Sequence, residues 1–433
     1  MNDLVAGGAF GLLAGVLGLA ALRAPLLAWV ALAPLVFAAA TLGPAPTALG
    51  AAVTGALYGC SGQSTKTVRR LLPISCGTNA LVYAAGWGAA AAVWPSDAWG
   101  AVIAPVTAVA VTVPLSKLGA PRYVANLLAR TQEPWLAIVH IARLGSDRFV
   151  LLAMASVSTA VALSTRAPGA ATGAAFVGLA LVAFGAYAYR ATVLQLRNVP
   201  RLRIAAVVAD PKPPSEVPVD GLYPLRAPDN RATEALRRYA PHVEAAADAG
   251  ARMVVLPEIA MRIDDEARAT WTDTIASWAR DNGVTIVAPY FDDDTQTNAL
   301  AVFDGGGSIV ARYEKQHPGP IEPPRHERTA AGPYAGPDGV PLHVVICVDL
   351  DYADFLAGVR VHRGLLAVPA NDWPGFDVVH HATSVWACVM ARVPLVRATG
   401  HGISSVRDAS GRLVAYRAAT AGAGTLVADV PIL

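Results

Sequence analysis

Cysteine is scarce: four in 433 residues, at Cys60, Cys76, Cys347 and Cys388. No CxxC pair and no Cys/His ligand spacing joins them, which argues against a disulfide framework and a zinc site and leaves each thiol to be judged alone. Charge is scarce as well, at 15% of residues, and unevenly placed: residues 1–200 hold 16 of the 66 Asp, Glu, Lys and Arg, leaving 50 for 201–433. A net charge of +2, with no Lys/Arg run interleaved with aromatics, excludes a nucleic-acid surface. No phosphate loop is present either, because "DGGGS" (304–308) lacks the following Lys-Ser/Thr and reads as a turn. The pair His380–His381 has no Asp, Glu or Cys at ligand spacing and reads as packing. Neither a metal nor an organic cofactor is expected.

What the sequence has in quantity is apolar residues, 54% of the chain with mean hydropathy +0.43, too many for two soluble domains. Uncharged stretches run Leu4–Leu22, Ala24–Thr65, Leu71–Ser96, Ala98–Ser116, Phe149–Thr165 and Ala167–Tyr189. Crossing hydrocarbon takes roughly 20 such residues. The second stretch suffices for two spans, broken at "GPAPT" (43–47), where prolines suit a turn. Seven transmembrane helices over residues 1–195 are expected. The first is expected to be retained, since no Lys or Arg precedes it and further apolar segments follow. Their Ala/Gly content suits close helix packing in lipid. Between the fifth and sixth spans, residues 116–149 carry Trp135 and five basic side chains, the pattern of an interfacial segment or of a plain loop.

From Arg201 onward, short β-rich runs alternate with helical stretches such as residues 232–250, which stops at Gly250. That alternation predicts a layered α/β domain over 201–433. "ADPKPPSEVP" (209–218) is too rich in proline for either element and reads as a loop.

Three polar residues follow strand-like runs: Glu258 after "VVLP", Lys315 in "RYEKQH" and Cys347 after "HVVI". Together they suffice for acyl transfer. A carboxylate takes the thiol proton, the thiolate attacks a carbonyl, and the ammonium with the backbone N–H of Val348 holds the oxyanion. Separately each has a plainer reading, Cys347 as an inert core residue and the other two as solvated strand ends.

The ordered set resembles the Glu-Lys-Cys pattern of the nitrilase (carbon-nitrogen hydrolase) superfamily, which implies an αββα sandwich. Preceded by apolar spans, it is similar to the apolipoprotein N-acyltransferase family. "PLLAWVALAPL" (25–35), "RIAAVVADPKPP" (203–214), "LLAVPANDWPG" (365–375) and "MARVPLVRATGHGIS" (390–404) carry the likeness further. The resemblance implies Glu258 as general base, Lys315 as oxyanion-stabilising ammonium, Cys347 as nucleophile and Glu322 as a supporting carboxylate. It implies Asn371 and Trp373 beside the acyl pocket, to which Trp135 is added as a substrate contact. A phospholipid would donate the acyl chain through a thioester, and the amine of a diacylglyceryl-cysteine lipoprotein would receive it.

The match departs from the family in places. Val348 and Asp349 stand where an aromatic residue and a glutamate are usual, and "GHG" (400–402) replaces "NNG". No apolar span follows the catalytic half, so a divergent member without the family's last helix is expected. Location in the bacterial inner membrane with an extracytoplasmic catalytic domain is implied, whereas the positive-inside count would place that domain in the cytoplasm. Two alternatives stand beside the transferase: a membrane-anchored amidase or nitrilase, and a non-catalytic scaffold binding a lipidated partner.

Overall fold

The computed structural model of the protein describes residues 2–60, 66–94, 96–117, 126–208, 231–318, 322, 325, 327–352, 355–372, 377–418 and 422–433. The chain divides into two compact units, the first ending at Ala191 and the second running Thr192–Leu433.

The first unit is helical. Among the described residues, Asn2–Ala20, Asp97–Ser116 and Pro168–Gln195 are long and apolar enough to cross a membrane. A fourth is reached only if Leu136–Leu144 and Arg148–Leu163, bent by 111°, count as one broken span. Among the described residues the six uncharged runs, expected to supply seven spans, therefore supply three such helices, or four with the bent pair. The run Ala24–Thr65 breaks into a 3-10 turn, Pro25–Trp29, and the helices Ala33–Thr41 and Pro44–Gly59. The longer of these has 16 residues, about 24 Å at a helical rise of roughly 1.5 Å, short of a hydrocarbon layer of about 30 Å. Lys66–Ala92 has the length but carries Ser75, Thr78 and Asn79 through its middle. The "GPAPT" break is also narrower than expected. Gly43, at φ +82°, precedes a helix that begins on Pro44, and a proline is tolerated in a first turn because its missing N–H has no intrahelical partner there.

Small residues bring two of these helices into backbone contact. A side chain at Gly7 or Gly11 would collide with the backbone of Pro46 or Gly50, and Thr54 Oγ1 donates to Gly11 O at 2.9 Å. The stretch holding Trp135 is folded rather than a plain loop. Gln132 is fully buried, donating to Pro25 O at 2.9 Å and accepting from Trp29 Nε1 at 3.1 Å. One expectation is corrected here: Cys60 and Cys76 do not stand alone, because their sulfurs lie 2.7 Å apart.

The second unit contains two sheets. The first comprises β1 (Arg201–Val208), β2 (Met253–Val255), β3 (Met261–Ile263), β4 (Thr285–Asp292), β5 (Thr297–Phe303), β6 (Ile309–Glu314) and β13 (Gly424–Pro431), in the order β13-β1-β2-β4-β5-β6 with β3 on β4. The second comprises β7 (Tyr334–Ala335), β8 (Pro341–Val344), β9 (Leu365–Ala370), β10 (Leu395–Thr399), β11 (Ile403–Arg407) and β12 (Leu413–Ala418), in the order β12-β11-β10-β9-β8-β7.

Alternation along the strands sorts side chains into two cores. Ile204 and Ala206 of β1 and Met253 and Val255 of β2 meet Val344, Leu365, Ala367 and Val396 of the other sheet. The intervening Ala205, Val207 and Val254 face the helices α1 (Ala232–Asp248) and α2 (Asp265–Asn282). With α4 (Asp377–Ala391) against β10 and β11, after the short α3 (Leu356–His362), the layers are αββα. The boundaries of α2 are written locally: Asp264 accepts from Ala267 N at 2.9 Å, Arg280 occupies the last turn and Gly283 takes the left-handed conformation that ends it. Helix α1 stops at Asp248, two residues before the Gly250 that takes φ +80°.

Candidate active site

The parallel strands β8, β9 and β10 end at one edge of their sheet, the position at which layered α/β folds gather reactive groups. Cys347 follows β8 and begins a 3-10 turn, Cys347–Asp351. Asn371 and Asp372 follow β9. From the first sheet come Glu258, three residues beyond β2, and Lys315, immediately after β6.

The structure brings these together. Lys315 Nζ lies 2.8 Å from Glu258 Oε1 and 2.7 Å from both carboxylate oxygens of Glu322. Asn298 Nδ2 donates to Glu258 Oε1 at 2.9 Å and to Glu322 Oε1 at 3.1 Å, tying the two acids. Burial disfavours the Lys315 ammonium, but Glu258 and Glu322 outweigh it and hold its pKa well above the ordinary value. Cys347 is 7% exposed, its sulfur 3.7 Å from Asn371 O. Burial pushes its thiol pKa up, Glu258 adds to this, and Lys315 and His380 pull the other way. The resting group is a thiol, and a base must remove its proton as it reacts.

The backbone is held in uncommon conformations at both reactive corners. Cys347 has φ +52° and Ile259, next to Glu258, has φ +50°, a region a β-branched residue rarely enters. Val348 is the second residue of the turn, where a backbone N–H has no intrahelical acceptor. Asp349 is fully engaged. It accepts from Tyr313 Oη at 2.8 Å, Gln316 N at 3.1 Å and His317 N at 2.6 Å, so this carboxylate fixes the loop carrying Lys315.

The other expected contacts fare differently. Asn371 Nδ2 donates to Glu258 O at 2.5 Å and its Oδ1 accepts from His401 N at 3.2 Å, which makes its amide a clasp between loops. Trp373 lies outside the described residues. Trp135 belongs to the helical unit, at the start of the short helix Leu136–Val139, and is 38% exposed.

Sequence reading missed Asn298 and the buried group His380, Asp372 and Arg397. His380 and its neighbour have no partner at ligand spacing in the sequence, yet Asp372 Oδ1 lies 2.7 Å from His380 Nδ1 and 2.6 Å from Arg397 Nη2. The acid comes from another strand end, eight residues away in sequence. Among the described residues no group of three or more His, Cys, Asp or Glu is arranged to hold a metal.

An αββα sandwich with a cysteine, a lysine and two carboxylates converging at one edge defines a class of α/β domain with a buried thiol site. Within that class, residues 225–432 match the family described as carbon-nitrogen hydrolase and form a domain of that superfamily. No curated protein matches the chain. Solved structures similar to it include a carbon-nitrogen hydrolase from Helicobacter pylori G27 (14% identity, TM-score 0.45, covering 53% of this chain and 89% of that one). Others are Nit3 of Saccharomyces cerevisiae, a member of branch 10 of the nitrilase superfamily (18%, 0.42, 53% and 90%), and a mutant of the amidase from Nesterenkonia sp. AN1 with acrylamide added at its active-site cysteine (17%, 0.42, 53% and 93%).

Proposed function

We propose that this protein is a membrane N-acyltransferase in which residues 201–433 carry the chemistry and residues 1–195 give lipid substrates access to it. The observation that carries the reading is the buried thiol of Cys347 beside a Glu258–Lys315 pair whose groups lie 2.8 Å apart.

Glu258 takes the thiol proton as sulfur attacks the carbonyl carbon of a phospholipid ester. The oxyanion is met by Lys315 and the Val348 N–H. Collapse breaks the ester C–O bond, the departing alcohol takes the proton from Glu258, and a thioester remains. The free amine of a diacylglyceryl-cysteine lipoprotein then attacks the thioester and gives its proton to Glu258. The C–S bond breaks, the amide is released, and the sulfur recovers its proton from Glu258. Both substrates carry lipid tails, so three helices able to cross a membrane support this reading over a purely aqueous substrate. On it, the catalytic unit faces the extracytoplasmic side, which reporter fusions at the C-terminus test.

The carbon-nitrogen hydrolase match favours one second reading, a membrane-anchored amidase whose thioester is resolved by water. Full-length protein incubated with phospholipid is expected to gain a hydroxylamine-labile acyl mass on Cys347. Adding a diacylglyceryl-cysteine peptide separates the readings: chain transfer to the amine supports the transferase, and free fatty acid alone supports the hydrolase. Intact mass unchanged, and identical to that of Cys347→Ser, leaves neither standing and points to a scaffold.

A further inference from the structure

The thiol has a second buried neighbourhood that the Glu258–Lys315 pair does not use. His380, near the start of α4, is 2% exposed. Its Nδ1 lies 2.7 Å from Asp372 Oδ1, the atom that also takes Arg397 Nη2, and its Nε2 lies 3.2 Å from Asp351 Oδ2. Asp351 ends the turn that Cys347 begins. The imidazole thus reaches the far end of the turn through a carboxylate, and from there it pulls down the pKa of the Cys347 thiol at the near end.

Charge counting sets the state of the ring. Two buried carboxylates face it, and of these only Asp372 has a guanidinium at hydrogen-bond distance. Neither oxygen of Asp351 has a hydrogen-bond partner among the described residues, and the side chain is 0% exposed, so beside a neutral imidazole this buried anion would lack a close counter-charge. An imidazolium 3.2 Å away supplies it.

We propose that His380 is a second catalytic cation of the site, an imidazolium kept charged by Asp351 and Asp372 that stabilises the Cys347 thiolate alongside Lys315. The inference rests on the cysteine chemistry above but not on which acyl donor or acceptor is used. Other charges bear on the two groups. Arg397 on β10, 3.1 Å from Nδ1, opposes the ring's charge, His381 on the same helix has its pKa lowered to about 3 and is uncharged near neutral pH, and Glu258 opposes the thiolate. Burial also disfavours charge on His380, but Asp351, with Asp372, outweighs it and holds its pKa well above the usual histidine value.

The test is the pH dependence of iodoacetamide labelling in full-length protein, reading Cys347 and the exposed Cys60 as separate peptides. His380→Gln is expected to slow Cys347 labelling at pH 7 about tenfold or more, equivalent to a rise of about one pKa unit, with Cys60 unchanged as the reagent control and the buried Cys388, on the same helix as His380, still protected as the fold control. A Cys347 profile that does not move while Cys60 labels normally overturns the proposal. Where the variant does not fold, hydrogen–deuterium exchange at the imidazole C2 of the wild-type protein reads the ring directly. A midpoint above about 6.5, the ordinary histidine value, is expected, and one at or below it overturns the proposal. Neither measurement needs lipid, so a protein that labels as expected but never acylates leaves this assignment intact and removes the transferase reading.

Discussion

Lys315 donates to Glu258 at 2.8 Å with side-chain exposures of 5% and 3%, so the acid and the amine of the site are each other's counter-charge before any substrate arrives. A buried pair of this kind is more sensitive to loss of one partner than of both.

Lys315→Met leaves Glu258 and Glu322 facing each other without a cation and is expected to destabilise the second unit by about 3–5 kcal/mol. The double variant Lys315→Met/Glu258→Gln is expected to recover part of that loss. Denaturant unfolding of both decides it, and a double variant no more stable than the single one contradicts the pairing.

Glu258→Gln keeps the hydrogen-bonding shape but cannot take a proton. Thioester formation on Cys347 is expected to slow about 10²–10⁴-fold, measured by the rate of acyl mass gain. A rate within a few-fold of wild type would mean that another group removes the thiol proton.

Acid should unsettle the second unit in two stages. His381 has its pKa lowered to about 3 by burial and by Arg407 and Arg397. The unfolded chain therefore binds more protons between about 6.5 and 3, and stability present above that window is lost as pH falls through it. Asp372 has its pKa held at about 2, where Arg397 and His380 outweigh the burial that raises it. Its contribution, on the order of 2 kcal/mol, is present above about pH 4 and lost toward pH 2. His381→Gln is expected to flatten the first stage and spare the second, as read from unfolding midpoints across pH.

The sulfurs of Cys60 and Cys76, 2.7 Å apart, are expected to join when the folded protein is treated with diamide, which is reduced to the hydrazine as two thiols lose two electrons and two protons. A cross-linked peptide lighter by about two hydrogens reports it. Its absence, with both thiols still alkylatable, contradicts the approach of Pro44–Gly59 to Lys66–Ala92.

The sequence alone determined what short-range patterns encode. The change in charge density near residue 200, the period-two runs of the sheets, and the strand ends bearing Glu258, Lys315 and Cys347 are all local, because strand and helix periodicity depend on neighbours a few residues apart. The number of spanning helices was not local: whether an uncharged run bends, as at Pro25–Trp29 and Gly43, depends on what the helices pack against. The charged cluster lay further still from sequence. His380 and Arg397 lie on separate elements, and only the closing of β9 and β10 brings both to Asp372. Tertiary structure therefore decided the charges around Cys347, since a buried group's ionisation is set by neighbours in space, which sequence separation does not reveal.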